Sequence, residues 1–240
     1  MTDPTLSSAD SQAVQLEWLR RVEAEYRSAT ITQHLTLWLM QLVAPFELTR
    51  MGLGVVEDEL VHSELSHEVY VAAGGQAVPE LGATRLGLVH PLSEHLLTAT
   101  VRCVVETFCL GETVAVRLFS RLRAPCEQPA ARRALDRILR DEVKHKDFGW
   151  TTLEWLLSTS GESVVRKVVV NELADMFQRL RHNYAYAELG KEPALSDARA
   201  FWGLMPRPDY AAALEETLQR DYVPLFAALD IDAMQAWTKP

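Results

Sequence analysis

The chain has 240 residues, 48% of them hydrophobic, enough to close a core of its own, which excludes a largely disordered chain. Its 24 Lys and Arg against 33 Asp and Glu leave a net charge of −9, which disfavours nucleic acid or an anionic membrane surface as the main partner. Three cysteines (Cys103, Cys109, Cys126) without metal-ligand spacing, a first stretch unlike a signal peptide, and no run near the roughly 18 apolar residues of a membrane span together predict a cytoplasmic chain without a disulfide framework. Glycine and proline are sparse and clustered, and between the clusters apolar residues recur at three and four positions, the period of a helix. The expected fold class is all-α. Residues 1–10 read as a flexible N-terminus. A first helix runs from about Ser11 to Val43, with Val14, Trp18, Val22, Ala29, Thr32, Leu35 and Leu39 as its inner stripe and Ala44-Pro45 as its stop. A second spans about Phe46 to Ala73 and ends at Gly74-Gly75. The stretch through Pro79, Gly82 and Gly87 to Pro91 is long enough for a crossover between two helical hairpins. A third helix starts near Pro91 or Ser93 and stops at Ala124-Pro125, and a fourth covers about Pro129 to Ser158. Beyond Gly161 a fifth is expected to about Leu189, and a sixth from Pro208 or Asp209 to about Leu229. The whole reads as one domain over 1–240: a four-helix core over 11–160 with a long crossover, and two additional C-terminal helices over 161–240.

The two hairpins share a weak repeat. Ala44-Pro45 is followed by Asp58-Glu59-Leu60-Val61-His62, and Ala124-Pro125 by Asp141-Glu142-Val143-Lys144-His145. Residues three apart lie on one helix face, so Glu59 with His62, and Glu142 with His145, can each present a carboxylate and an imidazole to one point in the core. Oxygen ligands with one imidazole per metal suit iron or manganese better than a thiolate-loving ion. A single Glu-x-x-His is weak, since Glu64-Leu65-Ser66-His67 repeats it inside helix two; there the shared face carries Glu57 and Glu68, which marks it as the outer side. Two copies in corresponding places of two hairpins are the stronger signal.

A two-metal site of this kind takes one further carboxylate from each remaining helix. In helix one, Glu25 is in phase with Val22, Ala29 and Thr32, whereas Glu23 turns away. In helix three, Glu112 shares its face with Val105, Phe108, Cys109, Ala115, Val116 and Phe119, an apolar wall where a lone carboxylate would be costly. Glu106 is the alternative ligand, although Arg102 one turn back can pair with it. Thr32, Phe108, Cys109 and Thr113 are candidates to line a pocket beside the metals.

The strings Glu25-Tyr26-Arg27-Ser28, Asp58-Glu59-Leu60-Val61-His62, Cys109-Leu110-Gly111-Glu112-Thr113 and Asp141-Glu142-Val143-Lys144-His145 resemble those of ferritin-like di-iron carboxylate proteins. More narrowly they resemble a bacterial ferritin-like domain family related to non-haem di-iron oxygenases, a similarity that runs through Tyr222-Val223-Pro224-Leu225. The resemblance implies a four-helix bundle holding two metals through Glu25, Glu59, His62, Glu112, Glu142 and His145. It also implies that Asp58 and Asp141 accept from the ligand imidazoles. Ile138 stands where the arylamine N-oxygenase branch carries an extra histidine, which argues against that branch.

The function this points to is a di-iron oxidase or oxygenase, with two Fe ions or a Mn/Fe pair as cofactor, that activates dioxygen to oxidise, hydroxylate or N-oxygenate a small organic substrate. The alternatives are a ferroxidase or peroxide scavenger whose substrate is iron itself, and a helical binding module that has lost its metals. The basic outer side of helix four (Arg132, Arg133, Arg137, Arg140, Lys144, Lys146) offers a surface for an acidic electron-transfer protein. By resemblance alone, a homodimer through the outer faces of the first two helices is expected. No phosphate loop, nucleophile elbow or His-Glu-x-x-His string is present.

Overall fold

A computed structural model of the chain describes residues 6–82, 95–184 and 195–239. Helix α1 (Ser8–Gln41) is started by Ser7, whose hydroxyl accepts from the Asp10 amide at 3.1 Å. Every residue of the predicted inner stripe is buried, from Val14 to Leu39. Pro45 ends the reversal and α2 (Phe46–Ala72) returns along α1. Their approach is close. A Cβ on Gly52 would lie 2.4 Å from the Thr36 hydroxyl, so only glycine fits there. The proposed crossover and the start of the third helix fall partly on residues 83–94, outside the described residues.

Helix α3 covers 96–123 and is not regular. Between an α-helical start (Leu96–Cys103) and end (Thr113–Arg123), the nine residues Val104–Glu112 form a π-helix. Its wider i→i+5 turns re-aim the face around Glu112. Downstream of Glu112 the buried apolar side chains are Val114, Ala115, Leu118 and Leu122, while Val116 and Phe119, expected with Ala115 in the apolar wall, are half-buried. Helix α4 (Pro129–Leu157) begins as its Pro129 at the first turn and its Gln128 cap predict, and it packs on both α3 and α2. At Gly149 an added Cβ would meet the Phe108 backbone at 2.9 Å, so α4 rests directly on the π-helical backbone of α3.

The C-terminal part holds more helices than the two expected. Helix α5 (Glu162–Asn183) stops earlier than the predicted Leu189: Tyr184 leaves helical angles, and its ring stacks on Tyr210. Residues 185–194 lie outside the described set. A short α6 (Asp197–Phe201) follows, opened by a Ser196 cap. Helix α7 covers 207–227 and again widens to π geometry at Leu218–Tyr222, just before Pro224, whose missing N–H and ring prevent an ordinary α-turn. A last turn, α8 (Ala233–Thr238), packs on α5. These elements are fastened to the core: Trp18 donates from its indole to the Trp202 carbonyl at 3.0 Å, and Arg199 pairs with Asp10 at 2.7 Å. The Tyr222 hydroxyl donates to the Leu110 carbonyl at 2.6 Å, joining one π segment to the other. Among the described residues there is no strand, and no helix is long and apolar enough to cross a membrane.

Candidate metal centre

Four helices each deliver carboxylates or imidazoles to one buried point. Glu25 comes from α1, Glu59 and His62 from α2, Glu112 from the last position of the π-helix, and Glu142 and His145 from α4. All six are at most 8% exposed, in a shell of fully buried Val105, Phe108, Cys109, Ile138 and Phe148. His62 Nδ1 lies 3.8 Å from Glu25, 3.5 Å from Glu59 and 4.0 Å from Glu142. His145 Nδ1 lies 3.5 Å from Glu59 and 3.8 Å from Glu142. The two imidazoles are 5.5 Å apart. Glu59 and Glu142 therefore sit between the imidazoles, each within reach of both, with Glu25 on the His62 side and Glu112 grouped with His145 and Glu142.

Asp58 and Asp141 do meet imidazoles, but across the bundle. Asp141 of α4 lies 3.4 Å from Nε2 of His62 in α2, and Asp58 of α2 lies 3.6 Å from Nε2 of His145 in α4. Arg137 ties the two aspartates together, donating to Asp58 at 2.6 Å and also to Asp141. Lys144 donates to Asp141 at 2.7 Å and Arg140 at 3.2 Å. Part of the basic outer side of α4 is thus committed to holding the aspartates. Burial by itself would raise the Asp141 pKa, and the hydrogen bonds from Lys144, Arg137 and Arg140 hold it far below the usual carboxylate range.

Burial pushes the carboxyls of Glu59, Glu112 and Glu142 up, with neighbouring carboxylates adding to it. Burial would lower the His62 pKa, but hydrogen bonds and charge from Glu25 and Glu59 outweigh it and carry it up to about 10. Burial, and then the His62 cation beside it, bring His145 down to about 4. For Glu25 the pull of His62 overrides burial, and its pKa falls.

Several of these atoms have no hydrogen-bond partner: Nδ1 of both histidines, Nε2 of His145, and one oxygen each of Glu59 and Glu142. Such orphaned buried groups are costly unless something coordinates them. Unpaired Nδ1 lone pairs and carboxylate oxygens facing one point, with the far Nε2 positions turned to aspartates, are the donor set of a two-metal carboxylate site, and the residues fit it.

Glu106 is not among them. It lies on the outer face of α3 in an ion pair with Arg179, at 2.5 and 3.0 Å. The second Glu-x-x-His is on the outer side as expected, with Glu64 exposed and His67 half-buried. Of the expected pocket residues, Thr32 donates to the Ser28 carbonyl at 2.8 Å, Thr113 accepts from the Trp150 indole at 3.0 Å, and Phe108 packs edge-on against Phe148. With Cys109 they are fully or almost fully buried core. Sequence reasoning assigned no role to Ser28, whose hydroxyl donates to Glu59 at 2.6 Å, or to Tyr184, whose ring lies within the electrostatic reach of Glu112, Glu142 and Glu25. Ser28 follows Glu25 by three residues, a spacing that could have marked it.

Comparison with solved structures finds a protein from Synechococcus described as having aldehyde deformylating oxidase activity. It superimposes with a TM-score of 0.60 over 96% of this chain and 95% of that one, at 20% identity. The fold is a ferritin-like helical bundle. No family model matches the sequence, and no curated protein matches it.

Proposed function

We propose that this protein is a non-haem di-iron oxidase or oxygenase that uses dioxygen to oxidise a small organic molecule. The observation that carries the reading is the pair of carboxylates, Glu59 and Glu142, each set between two imidazoles whose Nδ1 atoms lack any other partner. The Synechococcus protein, with the same fold and a named oxidase activity, supports it.

Electron transfer to dioxygen, which carboxylates and imidazoles cannot perform, would come from two irons, or an iron and a manganese, held by Glu25, Glu59, His62, Glu112, Glu142 and His145. The protein's own part follows from its geometry. Asp141 accepts from Nε2 of His62 at 3.4 Å and so leaves the His62 Nδ1 lone pair facing the centre, and Asp58, 3.6 Å from Nε2 of His145, sets a negative charge on the far side of that ring. Ser28 holds one oxygen of Glu59 and thereby sets its orientation. Phe108, Ile138 and Phe148, fully buried one helical turn from Glu112, Glu142 and His145, keep water away from those ligands. Glu25 and Glu112, at 7 and 8% exposure, are the least enclosed of the six.

The test is anaerobic loading with ferrous iron, elemental analysis, and oxygen uptake with a panel of small organic molecules. Two metals per chain with substrate-dependent uptake is the expected result; uptake driven by added ferrous iron alone would favour the ferroxidase alternative. Glu142→Ala removes a carboxylate shared by both positions and should abolish binding of at least one metal. Retention of two metals by that variant would overturn the ligand assignment.

A further inference from the structure

Arg21 lies one helical turn before Glu25 on α1 and is only 7% exposed. A buried guanidinium is costly without full pairing, yet its Nη1 has no hydrogen-bond partner. Its one ion pair among the described residues is a 3.3 Å contact from Nη2 to Glu17, itself partly exposed. The rest of its surroundings are aromatic: the guanidinium lies 4.2 Å from the Trp18 ring and 5.5 Å from that of Phe119. Tyr210 stands beside Glu17 and Arg21, and its ring stacks on Tyr184 at 6.1 Å. The charges of Glu112, Glu142 and Glu25 act on Tyr184 in turn, adding to burial in pushing its hydroxyl pKa up. Along α3, the face that carries Glu112 continues through the half-buried Val116 and Phe119. Arg21, Phe119, Tyr210 and Tyr184 therefore form a run of neighbouring side chains between an under-paired cation and the carboxylates of the metal centre.

We infer that Arg21 is a substrate-anchoring residue: it takes the carboxylate of a small organic monoacid whose body lies along Tyr210 and Tyr184. This rests on the oxidase reading and names its substrate class. A monocarboxylate matches the donors still unpaired on one guanidinium, whereas a phosphate dianion would bring a second charge among aromatic walls. One helical turn separates Arg21 from Glu25, about 5.4 Å along the axis. The carbon presented to the centre is accordingly a few bonds from the carboxyl group.

The full chain loaded anaerobically with manganese(II) is titrated calorimetrically with benzoate and hexanoate, and with benzamide and hexanamide as neutral counterparts. The acids should bind more tightly than the amides. Arg21→Gln should weaken the acids about tenfold or more, the loss of a charge-assisted hydrogen bond, and leave the amides unmoved. Glu17→Gln releases the guanidinium from its competitor and should tighten the acids several-fold; it decides the matter if Arg21→Gln fails to fold. No binding of either acid, equal affinity for acid and amide, or acid affinity unchanged in Glu17→Gln would overturn the inference. Manganese content of the same samples separates the two readings. Fewer than two ions per wild-type chain sinks the metal centre, while two ions without discrimination between acid and amide sinks the anchor alone.

Discussion

His62 shows what a single side chain is asked to do here. Its Nδ1 faces Glu25, Glu59 and Glu142, its Nε2 faces Asp141, and it has no solvent exposure. Without metal, its pKa near 10 keeps a proton on His62 at neutral pH, and burial shifts the carboxyls of Glu59, Glu112 and Glu142 in the same direction, toward holding protons. A cation can enter only by displacing them. Metal loading at pH 7 should therefore release protons, measurable as acidification of a weakly buffered solution, and affinity should rise with pH and fall as the medium is acidified. Proton uptake on loading would contradict this assignment. Asp141→Ala should weaken metal affinity about 10- to 100-fold by leaving His62 without its acceptor, as metal titration would show. The Glu-x-x-His pairs were legible because three-residue spacing fixes a shared helix face before anything is known of the tertiary structure. The crossing of the aspartates was not, since Asp141 reaches His62 only after two hairpins have packed. Nor was Arg21: a charged residue four positions after Glu17 reads as an exposed ion pair, and nothing in its spacing reveals that Trp18 and Phe119 enclose it.

Among the elements, the breaks at Ala44-Pro45, Gly74-Gly75 and Ala124-Pro125 were readable because proline and glycine act locally. The π segment at Val104–Glu112 carries no such punctuation. Its cause is tertiary. Gly149 lets the α4 backbone sit against Phe108 and Cys109, and Tyr222 takes up the Leu110 carbonyl. Gly149→Ala should therefore act beyond simple overpacking. A loss of about 1–3 kcal/mol of stability is expected from the forced shift, read by thermal or denaturant unfolding. It should be accompanied by weaker metal binding, because Glu112 closes the segment being pushed. A variant that unfolds earlier but binds metal as tightly as the parent would show that the segment does not position Glu112. The second π segment was partly signalled by Pro224, whereas the Tyr184–Tyr210 stack at the end of α5 is a contact invisible along the chain.

For the molecule as a whole, four buried carboxylates and two imidazoles are a burden that ligand binding relieves. A cation that binds the native but not the unfolded chain stabilises it by mass action, about 2.7 kcal/mol at a hundredfold excess over Kd. Manganese(II), which avoids oxidation, should raise the unfolding temperature in a concentration-dependent way, and Glu142→Ala should lose most of that rise. An equal rise in the variant would place the stabilising ion elsewhere. The bundle itself was legible from the helical period and the hairpin, crossover, hairpin order, because long amphipathic stripes have few ways to close on one another.

The crossed aspartates carry a consequence for assembly. Each hairpin supplies an imidazole that only the other hairpin can orient, so neither half of the internal repeat owns a finished half-site. Had Asp58 braced His62 and Asp141 braced His145, each duplicated unit could have trapped an ion before meeting its counterpart. As built, a chain whose hairpins have not docked lacks the aspartate facing each imidazole, and capture of both ions certifies a completed union of the two halves.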